Sequence, residues 1–278
     1  MDIYEQVTRF YERVKTEKIE IGKTLFGRTM YAVKVGDGYP VGVVQCAIHG
    51  REFITAKLAI EQYRVGVSKG SCWFILLANP DGALLSEVGI STAPNEWKGY
   101  LIEINRGEDF SLWKANGRGV DLNINFDAGW GTGVKNTRFP GAENCIGAYP
   151  FSEPETQALK NFTEKVKPDY TVSYHTKGEE IYWRFFQTGW RLERDKHLAE
   201  VLSRSTGYPL AESKNSVGGY KDWCIESLKI PAITIEVGDD RLTHPIKKQQ
   251  LKPIYNENKS VLKISIEHFL ENKCKTNL

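Results

Sequence analysis

Two apolar runs constrain this chain most: VGVVQCAI at residues 41 to 48 and CWFILLA at residues 72 to 78. Each is a nearly unbroken stretch of strand-forming side chains without polar alternation, the pattern of a strand covered on both faces. The segment between them, 53 to 66, reads as a helix. Strand, helix and second buried strand together make a crossover unit. The expected fold class is therefore α/β, with a mixed, largely parallel central sheet and helices on both faces.

The alternation continues along the chain. Residues 3 to 15 read as an amphipathic helix, and IEIGKTLFGRTMYAVKVG, residues 19 to 36, as two strands around a glycine turn. Further on come a helix at SEPETQALKNFTEKV, a strand at YTVSYH and a shorter strand candidate at EIYWRF. Helices around 194 to 206 and 220 to 229, a strand at AITIEVG and a long C-terminal helix from about 246 complete the pattern. Residues 90 to 150, rich in Gly, Asn and aromatics, read as one long irregular region. Trp97, Trp113, Phe126, Trp130 and Phe139 mark that region as an ordered, functional loop. No repeat or low-complexity linker divides the chain, so residues 1 to 278 are expected to form one catalytic domain.

Charge narrows the range of partners. The 37 Lys and Arg nearly balance the 35 Asp and Glu, and no block of like charge marks a nucleic-acid tract or a polybasic membrane anchor. The charged N-terminus lacks the apolar core of a signal peptide, and no stretch approaches the roughly 18 apolar residues of a membrane helix. The expectation is a cytoplasmic protein that handles a small or medium-sized molecule, with no nucleic acid and no membrane. Cys46, Cys72, Cys145, Cys224 and Cys274 are odd in number and widely spaced, so they read as reduced and mostly core.

The reactive side chains fall at strand ends, where ligands collect in open α/β sheets. His49 and Glu52 follow the first buried strand, His175 ends YTVSYH, and Glu236 stands near the end of AITIEVG. Two imidazoles and one carboxylate form the ligand set of a catalytic zinc site with a position left open for water. Glu236 would then serve as the base. An isolated HxxE is common by chance, so the constellation carries the argument. His197, His244 and His268 lie in charged stretches or before a proline and read as surface residues.

HGRE (49 to 52), NPDG (79 to 82), GRGVDLNINFDAGWG (117 to 131), PFSEPET (150 to 156), SYHTKG (173 to 178), GGYKDW (218 to 223) and ITIEVG (233 to 238) occur in the order found in zinc metallocarboxypeptidases. The chain resembles that family from about residue 20 onward. SYHTKGEEIYW and GGYKDW are most similar to its bacterial branch of γ-D-glutamyl-diamino acid peptidases. The resemblance implies one zinc ion per chain on His49, Glu52 and His175. It makes Glu236 the general base, and it makes Arg118, in NGRGVD, the group that polarises the scissile carbonyl and holds the oxyanion.

Two departures bear on substrate. Family members that grip a terminal α-carboxylate carry Asn then Arg after the VDL segment, whereas this chain has Asn123 then Ile124, which cannot bind a carboxylate. The tyrosine that closes over substrate in those members is replaced by Lys214, with Tyr220 nearby as a possible substitute. The resemblance also puts Lys221 at the base of the pocket for the leaving residue's side chain, with Asp222 and Trp223 shaping it. A cation there suits diaminopimelate, whose side chain ends in a second amino-acid head.

These features lead to an expected zinc peptidase acting on peptide or muropeptide substrates, at the γ-D-glutamyl to meso-diaminopimelate bond. Two rivals differ in kind: a zinc carboxypeptidase for acidic C-terminal residues, and a metal- or peptide-binding relative without catalysis.

Overall fold

The computed structural model describes residues 1–212 and 216–276. Its strands are β1 (Lys18–Lys23), β2 (Thr29–Gly36), β3 (Val41–Cys46), β4 (Ser71–Ile75), β5 (Tyr170–His175), β6 (Glu180–Tyr182), β7 (Leu210–Ala211) and β8 (Ala232–Glu236). They form one sheet in the order β1-β2-β4-β3-β5-β8-β6-β7. The centre, β4-β3-β5-β8, is parallel throughout, and antiparallel pairs join the outer strands to it.

The helices are α1 (Ile3–Arg13), α2 (Ile54–Val65), α3 (Pro80–Glu87), α4 (Asn95–Asn105), α5 (Pro154–Val166), α6 (Trp190–Thr206), α7 (Tyr220–Glu226), α8 (Leu251–Asn258) and α9 (Val261–Thr276). Strand side chains alternate between two cores, as the pleat requires. Val33, Val44, Phe74, Val172 and Ile235 face α1, α2, α6, α8 and α9. Ala32, Val43, Ile75 and Ala232 face α5 and α7. With both faces covered, the central strands can be apolar without a break, and the expected fold class is confirmed.

The irregular region between 90 and 150 is more structured than expected. It contains α4, and α3 lies just before it, at NPDG. The start of α3 has a local cause: Asn79 accepts from the Gly82 N–H at 2.9 Å, and Pro80 sits in the first turn. Trp113 and Phe126 are fully buried here, whereas Phe139 is 81% exposed and adds nothing to the order of the region. The C-terminal helix is two helices, α8 and α9. His268 is buried rather than on the surface, because α9 packs on α6 and places its ring 4.9 Å from that of His197. His244 is half-buried, with Nε2 2.8 Å from the Thr176 hydroxyl. Cys46, Cys72, Cys145 and Cys224 are buried and free.

Candidate metal centre

The sheet delivers the reactive residues to one end. After β3 the chain passes His49 into a single 3-10 turn, Gly50–Glu52, before α2 begins. Such a turn eclipses side chains three residues apart, which is why an imidazole and a carboxylate at that spacing meet. The turn can sit there only with glycine at position 50. A Cβ would lie 2.4 Å from the Gly82 carbonyl oxygen at the start of α3. His175 is the last residue of β5 and Glu236 the last of β8, and the two are direct partners in the parallel register.

Three ligand-type atoms converge. His49 Nδ1 lies 2.9 Å from Glu52 Oε1, His175 Nδ1 lies 3.1 Å from Glu52 Oε2, and the two Nδ1 atoms are 3.1 Å apart. All three side chains are buried, and they form the one His/Cys/Asp/Glu group among the described residues whose ligand atoms could share an ion. Tetrahedral zinc bonds of 2.0–2.2 Å place ligand atoms roughly 3.3–3.5 Å from one another. The observed separations are close to that, and the donor set of two imidazoles and a carboxylate fits zinc. Burial alone would raise the Glu52 carboxyl, but His49 and His175 draw it well below the usual carboxylate range.

Behind His49 stands Asp121, which the sequence reading passed over. Asp121 Oδ1 lies 3.4 Å from His49 Nε2, and its Oδ2 lies 2.8 Å from Lys114 Nζ. A carboxylate on Nε2 favours the tautomer whose Nδ1 lone pair is free to ligate. Burial would raise the Asp121 carboxyl, yet Lys114 and His49 hold it far below the ordinary value. Lys114 in turn keeps its proton despite burial, because Asp121 and Glu52 outweigh the loss of solvent. The available signal was position: Asp121 lies in GRGVDLN, within a motif that carries the resemblance, and Lys114 stands three residues before that motif.

Arg118 goes elsewhere. Its Nε donates to Glu153 Oε2 at 3.1 Å, and it lines a cleft that contains none of the three ligand residues. The cation beside the triad is Lys114, whose charge reaches both Glu52 and Glu236. Burial pushes the Glu236 carboxyl up; His175 pulls it down and Glu52 adds to the rise.

The pocket residues divide similarly. Asn123, Tyr182, Glu212, Lys221 and Asp222 line a pocket of about 270 Å³ that Glu236 also lines. Ile124 lies in a neighbouring cleft with Lys114 and Asp121. Lys221 is not the bare cation the sequence suggested. It is buried, with Nζ 2.5 Å from Asp222 Oδ1 and 3.2 Å from the Arg184 carbonyl. Tyr220 cannot close over a substrate: it is fully buried, and its hydroxyl lies 2.8 Å from that of Thr163. Trp223 packs on Phe126 and Phe151 instead of lining the pocket. Lys214 lies outside the described residues.

This fold, with a buried His-Glu-His triad at the carboxyl end of its sheet, defines a metallopeptidase. The chain belongs to the zinc carboxypeptidase family, whose model matches residues 5–261. It is 30% identical over 257 residues to gamma-D-glutamyl-L-diamino acid endopeptidase 1 of Lysinibacillus sphaericus, covering 85% of this chain and 64% of that relative. Murein peptide amidase A of Escherichia coli is 33% identical over 132 residues, 44% of this chain and 50% of that protein. The chain thus spans less than two thirds of the length of either relative. In fold it matches bovine thrombin-activatable fibrinolysis inhibitor with a TM-score of 0.78 at 19% identity, covering 98% of each chain. No helix of the described residues is long and apolar enough to cross a membrane.

Proposed function

We propose that this zinc peptidase hydrolyses the γ-D-glutamyl to meso-diaminopimelate amide of peptidoglycan-derived peptides. The observation that carries the reading is the Lys221–Asp222 ion pair in the pocket beside Glu236. Asp222 also accepts from the Gly219 N–H at 3.1 Å and so caps α7, and the same pair presents both charges to the pocket. The far end of diaminopimelate bears one carboxylate and one ammonium. Lys221 matches the first and Asp222 the second, while Glu212, which also lines the pocket, is paired with Arg184 at 2.9 Å. A singly charged side chain would satisfy only half of this lining. Ile124, where a carboxylate-gripping arginine would stand, fits a substrate held by its side chain. The names of the two bacterial relatives support the same substrate class.

Zinc held by His49, Glu52 and His175 would acidify a water molecule and polarise the scissile carbonyl. Glu236, at the adjacent strand end, takes the proton from the attacking water and passes it to the leaving amine. Lys114, anchored by Asp121, offers positive charge to the oxyanion, the role the motif alone assigned to Arg118. Asp121 holds His49 in the ligating tautomer.

The test is incubation of the purified protein with γ-D-glutamyl-meso-diaminopimelate, its lysine analogue and an α-linked peptide ending in glutamate, with products read by mass spectrometry. The reading expects the first to be cleaved fastest. Preferential release of the terminal glutamate would replace it with an acidic carboxypeptidase.

A further inference from the structure

The cleft that takes Arg118 away from the metal is itself organised. It measures about 460 Å³ and is lined by Arg118, Val120, Arg138, Cys145, Tyr149 and Glu153, among others. It flanks the metal site, because Val120 precedes Asp121 and the Asp121 N–H donates to the Cys145 carbonyl at 2.8 Å.

Arg118 is anchored from behind. Glu153, 2% exposed, accepts from Arg118 Nε, from Asn116 Nδ2 at 2.9 Å and from the Ser152 hydroxyl at 2.8 Å. These bonds occupy both oxygens of Glu153. The two terminal nitrogens of Arg118 have no hydrogen bond among the described residues. Arg138 forms no ion pair among the described residues and lies over the Trp130 ring at 5.1 Å. Two positioned guanidinium groups with unused donors therefore share one concave surface whose single carboxylate is already engaged. Paired forks of this kind match a carboxylate or a phosphate.

We infer that this cleft binds an anionic group through Arg118 and Arg138. We further infer, resting on the substrate reading above, that its occupant is the free α-carboxylate on the acyl side of a γ-glutamyl bond. A γ-linkage uses the side-chain carboxyl in the scissile amide and leaves the α-carboxylate charged. An ordinary α-linked peptide has an uncharged amide in its place. The cleft thus reads the linkage at a site separate from the Lys221 pocket.

The site and its occupant are tested separately. Sulfate is titrated into the zinc-loaded protein while the Nε–H resonances of Arg118 and Arg138 are followed by NMR, with Arg118→Met and Arg138→Met for assignment. Saturable shifts at both arginines are expected, and the Arg118 shift should be lost in Arg138→Met and largely retained in Arg138→Lys. Shifts that fail to saturate, or that appear equally on arginines outside the cleft, overturn the anion site. For the occupant, γ-D-glutamyl-meso-diaminopimelate is compared with its α-carboxamide form. The carboxylate form should be preferred by about tenfold or more in kcat/KM, the scale of one charge-assisted bond. Arg138→Met should remove the preference through KM. Saturable sulfate binding without a carboxylate preference overturns the occupant. If neither peptide is cleaved, the substrate reading fails, and the sulfate titration still decides the cleft.

Discussion

His175 and Glu236 close adjacent parallel strands as direct register partners, so the sheet itself sets the spacing between a metal ligand and the proposed base. One strand pair therefore places both groups without help from a flexible loop, and the two can be separated by mutation. Glu236→Gln keeps the shape of the side chain and removes its basicity. Turnover should fall by roughly two to four orders of magnitude, the usual range for a general acid–base group. Zinc content, read by atomic emission, should not change. Near-normal turnover would mean that another group activates the water.

Metal content follows the triad. The wild-type protein should hold close to one zinc per chain, and His175→Ala should lose most of it. Full occupancy in that variant would move the ion elsewhere.

The support behind His49 makes a finer prediction. Asp121→Asn leaves the three ligands in place but weakens the hold on the His49 tautomer, so zinc affinity should drop about 10- to 100-fold in a chelator competition. Lys114→Met should instead lower kcat with zinc still bound. Loss of the metal in Lys114→Met would make this lysine a prop for Asp121 and nothing more.

These two residues mark the limit of what the chain discloses without coordinates. The buried strands, and the rule that ligands gather at their carboxyl ends, made His49, Glu52, His175 and Glu236 legible, because periodicity dictates where a strand stops. Lys114 and Arg118 are four residues apart in a loop with no period, and only packing decides which one faces the metal. Here Glu153 captures Arg118 and Asp121 captures Lys114. Tyr220 misled for a related reason. It is near the replaced tyrosine in sequence, but α7 turns it into the core against Phe126. Helix α3 was legible in principle, since Asn79 and Pro80 are start signals; reading NPDG only as a motif obscured them.

The pH dependence of stability should carry the mark of Glu155. Burial, with the neighbouring Asp81 charge adding to it, pushes this carboxyl from 4.5 to about 8, while Asn116 donates to it at 3.1 Å. A carboxyl raised in the folded state stabilises fully below its unfolded pKa, and that contribution is lost as pH rises through the folded value. Between about pH 4.5 and 8 the native state should lose up to about 1.4 kcal/mol per pH unit from this group. Glu155→Gln cannot ionise, so its unfolding temperature should fall less than that of wild type between pH 6 and 9. Parallel curves for the two proteins would show that Glu155 is already ionised at neutral pH.

The last prediction concerns the ion pair in the pocket beside Glu236. Lys221 and Asp222 are both buried and 2.5 Å apart, so removing either one strands the other's charge. Lys221→Met should therefore cost about 3 kcal/mol of stability, the usual scale for breaking a buried pair, as well as selectivity. The double variant Lys221→Met with Asp222→Asn removes both charges and should recover most of that stability. If the pair serves only the fold, the double variant should also regain its discrimination between diaminopimelate and lysine substrates. If the pair reads the zwitterionic head, stability returns but discrimination does not, and kcat/KM for the diaminopimelate peptide stays at least about tenfold below wild type. Thermal unfolding and paired kinetics on the same preparations distinguish the two outcomes. Only the second is compatible with a pocket built around opposite charges for a substrate side chain that carries both.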